Sequence, residues 1–271
     1  MIRLILLLFA LLLFQSASAQ VNWKKVQVLV YTKNGKGYVH DNIPSAVKAL
    51  QKLGTEHGFA VDVSDQPTVF TESNLKQYTL LVFPSTNNDV FDTDAQRLAF
   101  RRYIEAGGGF VGIHSVMGTE RNWTWFKRMI GGTFAWHPKF QKIRIEVLDT
   151  KHPSTQGIPQ SWEKEDEFYF TKEMYPGPTV IMASDLTSLN GDEPEKVKAF
   201  GGSFTHLYPS VWYYNYDGGY TWCTTLGHAK EDYEKPMFMK HIFQGIQYVA
   251  SQVKKIDFSK AYADSRDTPL H

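Results

Sequence analysis

Tyr78-Thr-Leu-Leu-Val-Phe83-Pro84, Thr93-Asp-Ala-Gln96 and Gly107-Gly-Gly-Phe-Val-Gly-Ile-His114 follow one another within a single stretch of chain, and their reading decides the fold. The first is a near-continuous apolar run, as a strand buried on both faces requires, and Pro84 stops it. Thr93-x-x-Gln96 is a capping box that opens a helix through Ala106. Three glycines end that helix and feed a second apolar run ending at His114. Upstream the same alternation appears. Residues 25–31 read as a strand, Asp41-Asn42-Ile43-Pro44 as a helix start with a capping side chain, and Ala60-Val-Asp-Val63 as another strand. The intervening helix carries Ile43, Val47, Leu50 and Leu53 on one face. Repeated strand–helix–strand units with short connections predict an α/β fold with a doubly wound, mostly parallel sheet.

From about residue 140 the pattern changes. Residues 141–148 alternate apolar and polar side chains, as in a half-exposed strand, while residues 154–169 are rich in turn formers and acids. Residues 180–183, 210–214 and 220–226 read as further strands. Asp217-Gly218-Gly219 between the last two is a hairpin turn signal. Residues 235–253 form a closing helix with Phe238, Ile242, Ile246 and Val249 on its inner face. The expected organisation is one domain over residues 20–254 with an elaborated C-terminal half, and a polar tail over 255–271.

The 271 residues are 42% hydrophobic and 21% charged, with a formal net charge of +1. That balance excludes disordered, collagen-like and coiled-coil classes, and gives no electrostatic reason to expect nucleic acid as a partner. The single cysteine, Cys223, excludes an intrachain disulfide, a Cys-rich zinc site and an iron–sulfur cluster. Arg3, the apolar run 4–14 and Ser16-Ala-Ser-Ala19 before Gln20 form the three parts of a secretory leader over residues 1–19. The run is too short to span a bilayer. The mature protein is therefore expected to be exported, periplasmic or secreted, with no stable membrane insertion.

Ligands of open α/β sheets bind beyond the carboxyl ends of the strands, so ionisable residues just after strands are the candidates. His114 ends a strand in Gly112-Ile-His114-Ser115, an arrangement like a nucleophile elbow, and is expected to be the central acid/base. His40 follows the first strand, and His228 follows another at Leu226-Gly-His228. His137 lies in Trp136-His-Pro138, and His206 just before a strand. The acidic run Glu163-Lys-Glu-Asp-Glu167 reads mostly as a solvated face. Its last members, Asp166 and Glu167, abut the aromatic patch containing Tyr169, where a carboxylate's pKa can be raised. Trp212 and its aromatic neighbours suit a carbohydrate, apolar on its faces and hydroxylated at its edges, and equally fit a buried strand. The catalytic set is expected to be His114, Glu167 and His228. His40, His137, Asp166, Tyr169, His206 and Trp212 are expected to bind substrate. His57, His152, His241 and His271 read as surface residues. No Walker A loop, H-E-x-x-H or G-x-S-x-G motif is present, and the glycines at 107–112 run from helix to strand, the reverse of the dinucleotide fingerprint, so no NAD is expected.

Six of these segments resemble, in order, the motifs of the trehalose-utilisation (ThuA-like) family: residues 37–44, 106–114, 136–138, 166–169, His206 with Trp212, and 226–228. The resemblance spans roughly residues 26–250. It implies a class I glutamine amidotransferase-like fold of flavodoxin-like architecture, and a role in carbohydrate metabolism. Two departures stand out. Leu207 and Tyr208 separate His206 from Pro209, where the family has His-Pro. Tyr213-Tyr214-Asn215 replaces a Cys-His-Glu-like stretch. Amidotransferases carry cysteine at the elbow; here it is histidine, so glutaminase activity is not expected.

The functional expectation is a sugar- or glycoside-acting enzyme working by hydrolysis, isomerisation or elimination. The alternative is a non-catalytic carbohydrate-binding protein. His40, His114 and His228 are expected to converge near Glu167. Such a cluster suits either a zinc-like divalent metal or a metal-free imidazolium–carboxylate pair; the lack of any tight local ligand spacing leans towards the metal-free version.

Overall fold

The structure, a computed structural model, describes residues 21–191, 193–202 and 204–271. The expected leader lies outside the described residues. In chain order the elements are β1 (Gln27–Tyr31), α1 (Ile43–His57), β2 (Ala60–Ser64), α2 (Glu72–Leu75), β3 (Leu80–Pro84), α3 (Asp94–Glu105), β4 (Gly109–Ile113) and α4 (Thr124–Ile130). Then follow β5 (Thr133–Trp136), β6 (Gln141–Val147), β7 (Ser161–Asp166), β8 (Phe170–Lys172), β9 (Thr179–Asp185), α5 (Pro194–Gly201), β10 (Leu207–Tyr216), β11 (Gly219–Thr224) and α6 (Pro236–Gln252). No helix among the described residues is long and apolar enough to cross a membrane.

Nine strands form one sheet in the order β2-β1-β3-β4-β11-β10-β9-β6-β7. The first five are parallel to one another and reproduce the flavodoxin-like 2-1-3-4-5 order, with β11 as the fifth strand. The remaining four add antiparallel pairs, the elaboration expected of the second half. β5 and β8 pair separately. Alternate residues of the central strands face opposite layers. Val28, Val30, Val82 and Val111 pack with Leu50 of α1 and Ile242 and Ile246 of α6. Leu29, Tyr31, Phe83 and Phe110 pack with Phe100 of α3 and Phe126 of α4. Each such large side chain contributes about 1.5–3 kcal/mol on full burial.

Local signals behave as their chemistry dictates. Thr93 and Gln96 complete the capping box of α3. Asp217 and Gly218 both take positive φ, 49° and 91°, the twist that a tight hairpin needs. Gly112 is required by close approach: a Cβ there would stand 2.8 Å from Val116 Cγ1 and 3.1 Å from Cys223 Sγ.

Four expectations are corrected. β2 is an edge strand and mostly exposed, not buried on both faces. The acidic run is solvated at Glu163 and Glu165 as expected, but the lysine within it is not. It forms β7, with Lys164 and Asp166 pointing inward at a period of two and neutralising each other. His152 and His241 are buried rather than on the surface. The imidazole of His152 stacks on Tyr213, and that of His241 packs on Trp222 and meets Thr224 Oγ1 at 3.1 Å. Finally, Asn42 does not cap α1. Its side-chain amide crosses to the loop after β11 and donates to Gly227 O at 2.7 Å and His228 O at 2.9 Å. The polar tail is docked against α3: Glu105 accepts from the backbone of Tyr262 and Ala263, and Trp123 Nε1 donates to Arg266 O.

Candidate functional site

The loops after β1, β4 and β11 leave the same edge of the parallel sheet and bring His40, His114 and His228 together. Ring centroids of His40 and His114 are 4.9 Å apart, those of His114 and His228 5.2 Å, and those of His40 and His228 5.4 Å. Glu167 arrives from the far end of the sheet, in the turn between β7 and β8. One ligand atom from each of His40, His114, Glu167 and His228 lies within 4.8 Å of every other, the one such group among the described residues.

Each member has a defined proton inventory. His114 sits at φ 52°, a strained turn for a non-glycine residue and the sharp elbow its sequence position predicts. Its Nδ1 stands 2.9 Å from Thr225 O. A carbonyl only accepts, so Nδ1 carries the hydrogen and Nε2 presents its lone pair to the cluster. Tyr169 Oη stands 2.9 Å from that Nε2, His228 Nδ1 3.2 Å and Glu167 Oε2 3.6 Å. Ser115 Oγ donates its one hydrogen to Thr86 O and therefore accepts from His40 Nδ1 at 3.0 Å. Burial, helped by the neighbouring imidazoles of His114 and His228, pushes His40 down to about 3, so it is neutral.

Glu167 is the electrostatic centre. Its Oε2 lies 3.1 Å from His228 Nδ1, and its Oε1 lies 3.4 Å from His137 Nε2. Burial opposes its charge, but the adjacent imidazoles of His114 and His228 outweigh burial and hold the carboxyl below its ordinary range. The expected rise in pKa from aromatic neighbours is thus reversed by the imidazoles. For His228 burial again works against the charge, and Glu167 reverses it, raising the imidazole's pKa. The Tyr169 hydroxyl is raised well above its usual value, first by burial and then by the Glu167 and Asp166 charges.

Asp166 does not face the cleft. It is fully buried, and its carboxylate accepts from the backbone of Glu167, Gly227 and His228 at 2.8–3.0 Å. It thereby positions His228 instead of meeting a ligand. Lys164 Nζ supports it at 2.8 Å and also bonds Asp232. Trp212 is likewise in the core, its indole donating to Ile130 O at 2.9 Å. His206 is exposed at the start of β10 beside Asp185 and outside the four-residue cluster. This is the position where the chain departs from the family's His-Pro. Cys223 is buried in β11, where burial pushes its thiol up to about 12 and leaves it inert.

A cavity of about 360 Å³ opens onto the cluster, in the size range of small-molecule sites. His40, His137, Glu167 and Tyr169 line it, as expected from sequence. Asn87, Ser115 and Arg121 line it too, along with the rings of Tyr38 and Phe134; these had no distinguishing sequence signal beyond Tyr38 standing two residues before His40. His114 and His228 stand behind Glu167, away from the cavity wall. Glu167 is the one carboxylate among the lining residues. A larger groove of about 850 Å³ runs between α1 and α6, and the cluster is not part of it.

The profile of the ThuA family, described as trehalose utilisation, matches residues 27–249. Curated proteins give no match. Among solved structures, a ThuA-like protein from Bacteroides uniformis superposes with a TM-score of 0.68 at 22% identity, covering 85% of this chain and 93% of that one. A ThuA-like protein from Parabacteroides merdae gives 0.65 at 18%, covering 84% and 90%. A cytoplasmic protein of Salmonella typhimurium gives 0.57 at 14%, covering 83% and 99%. At these identities the likeness is one of fold.

Proposed function

This chain belongs to the ThuA family of trehalose utilisation, and on that premise we propose that it is an exported enzyme that moves protons on a sugar bound in the Glu167–His137 cleft. The observation that carries the proposal is the Glu167 carboxylate, held ionised by imidazoles on one side and open to a cavity on the other. Tyr38 and Phe134 offer aromatic faces for a sugar ring, and Asn87 and Arg121 offer donors for its hydroxyls.

The proton carrier in this reading is His137, not His114. Both ring nitrogens of His114 are engaged behind the cavity wall. His137 is half-exposed at the mouth; its Nδ1 donates to Pro138 O at 2.7 Å, which leaves the Nε2 lone pair facing the cleft and Glu167 Oε1. Hydrolysis of a glycoside ordinarily uses two carboxylates, and the cavity wall carries one. Isomerisation or elimination of a keto sugar needs less. His137 Nε2 takes the proton from the carbon beside the carbonyl, and the electron pair moves onto the carbonyl oxygen. In elimination the pair returns to expel an oxygen from the next carbon, and that oxygen takes the proton back from the His137 imidazolium. In isomerisation the hydroxyl proton on the deprotonated carbon passes to the former carbonyl oxygen, and the pair it leaves accepts the His137 proton at the former carbonyl carbon. Glu167 stabilises the imidazolium formed between the two steps.

The test is a panel of native and keto sugars offered to the purified protein. The expected result is product from a keto sugar, with His137→Ala lowering kcat by about 100-fold or more while the fold is kept. Binding of sugars with no product from any member would overturn the enzyme and leave the sugar-binding protein, which the same aromatic walls support.

A further inference from the structure

We infer that His114, His228, Glu167 and His40 form a binding site for one divalent transition metal of zinc type, behind the cleft wall. The inference stands on ligand geometry, and shares Glu167 and the cleft with the sugar reading. A tetrahedral zinc ion bonded at about 2.0–2.1 Å holds its ligand atoms about 3.3 Å apart. His114 Nε2, His228 Nδ1 and Glu167 Oε2 already stand at 3.2, 3.6 and 3.1 Å from one another, with one nitrogen of His40 in the same group.

The proton inventory agrees with the distances. A metal-binding imidazole commonly donates its other N–H to a carbonyl or carboxylate, which fixes the tautomer and aims the lone pair. His114 does so to Thr225 O, and His40 to Ser115 Oγ, itself anchored on Thr86 O. Neither tautomer depends on its neighbours in the cluster, so both rings are prepared as ligands before anything is bound. His114 Nε2 has one lone pair but faces three partners, from Tyr169, His228 and Glu167. One cation between them meets the lone pairs of both imidazoles and the carboxylate together, which no single hydrogen can do. Tyr169 Oη also faces Glu167, so it keeps a partner when the nitrogen turns to the metal. Three imidazoles with one carboxylate and no thiolate suit zinc and its neighbours better than magnesium or calcium. No tight local spacing such as i, i+4 is needed, because the order of the parallel strands supplies the convergence. Glu167 divides its oxygens: Oε2 belongs to the metal side and Oε1 to His137 at the mouth.

Tag-free protein, stripped with a chelator and dialysed, is titrated with Zn²⁺ alone by calorimetry, and with Co²⁺ alone by visible absorption. The expected result is one equivalent bound, with the intense d–d bands of low-coordinate Co²⁺. Glu167→Gln and His228→Ala are expected to weaken binding by about 100-fold or more. Ser115→Ala, which removes only the support of His40, is expected to weaken it by about 10- to 100-fold. His57→Gln, on the surface, should match the wild type. Thermal melts of each variant separate lost ligands from lost fold, and His228, being half-exposed, is the variant that best tolerates replacement. Binding that is equally tight in Glu167→Gln, His228→Ala and the wild type, or absent in a folded wild type, would overturn the site. One equivalent of metal with no sugar product would leave the site standing and remove the enzyme reading; sugar product with no metal bound would do the reverse.

Discussion

His241 is wholly buried on α6, with Nε2 bonded to Thr224 Oγ1 and Nδ1 without a partner. Burial first, and then the Lys164 charge, push its imidazole down to about 3. An unfolded histidine takes up its proton near pH 6.5, whereas the folded one does not until far lower. The unfolded state therefore binds more protons between those values. The stability that His241 contributes is complete above pH 6.5 and is lost as pH falls below it, by about 2 kcal/mol at pH 5. Melting temperatures measured from pH 7 to 5 are expected to fall in the wild type and to fall less steeply in His241→Gln; parallel curves would exclude His241 as the source. The same residue marks the limit of reading the site from sequence. His114, His40 and His228 were legible because each follows a buried strand whose direction fixes where the loop emerges. His206 immediately precedes β10 and Trp212 lies within it, but nothing in the local sequence says which face or side of the sheet their side chains take. Asp166 and Glu167 are adjacent, yet one turns to the backbone and the other to the cleft. That choice depends on Lys164 and on the loop after β11, both remote in sequence.

β7 is tied to the loop after β11 and the segment leading into α6 through one cation. Lys164 is 6% exposed, bonds Asp166 and Asp232, and lies over the Phe238 ring. Lys164→Met leaves the Asp166 carboxylate buried without its cation, while Asp232 keeps Lys235 at 3.0 Å, a change worth about 3–5 kcal/mol. A fall of that size in unfolding free energy, with the urea midpoint shifted and the slope kept, is the expected outcome; a loss below about 1 kcal/mol would show that Asp166 finds another partner. β7 also shows why part of the fold was hard to read. β1, β3 and β4 announce themselves as apolar runs because helices cover both faces. β10 and β11 are flagged by the turn between them. β7 carries its inward face as Lys164 and Asp166, opposite charges two residues apart, and a pattern based on hydrophobicity has no signal for a buried ion pair. β2 erred the other way: its valines suggest a core, but an edge position leaves them largely uncovered.

At the scale of the molecule, the C-terminal tail docks on the α/β body, and export is the proposal that concerns the other end of the chain. If export is correct, protein recovered from its native host begins at Gln20 or within a few residues of it, which mass spectrometry of the intact chain reads directly. Recovery of the species beginning at Met1 from the cytoplasm would end the proposal. β11 then takes on a meaning for how this chain acquires its shape. It is the last strand in sequence, yet it lies in the middle of the sheet, parallel to β4 on one side and antiparallel to β10 on the other. Until it arrives, β4 presents an unpaired apolar edge, and the β4–β11 ladder must close over everything between them. Pairings of such long sequence separation form slowly and leave sticky edges open meanwhile. Folding of this protein is thus a closure from the C-terminal side. The loop bearing His228 follows β11 directly, so the cleft is assembled only when that late strand has been seated.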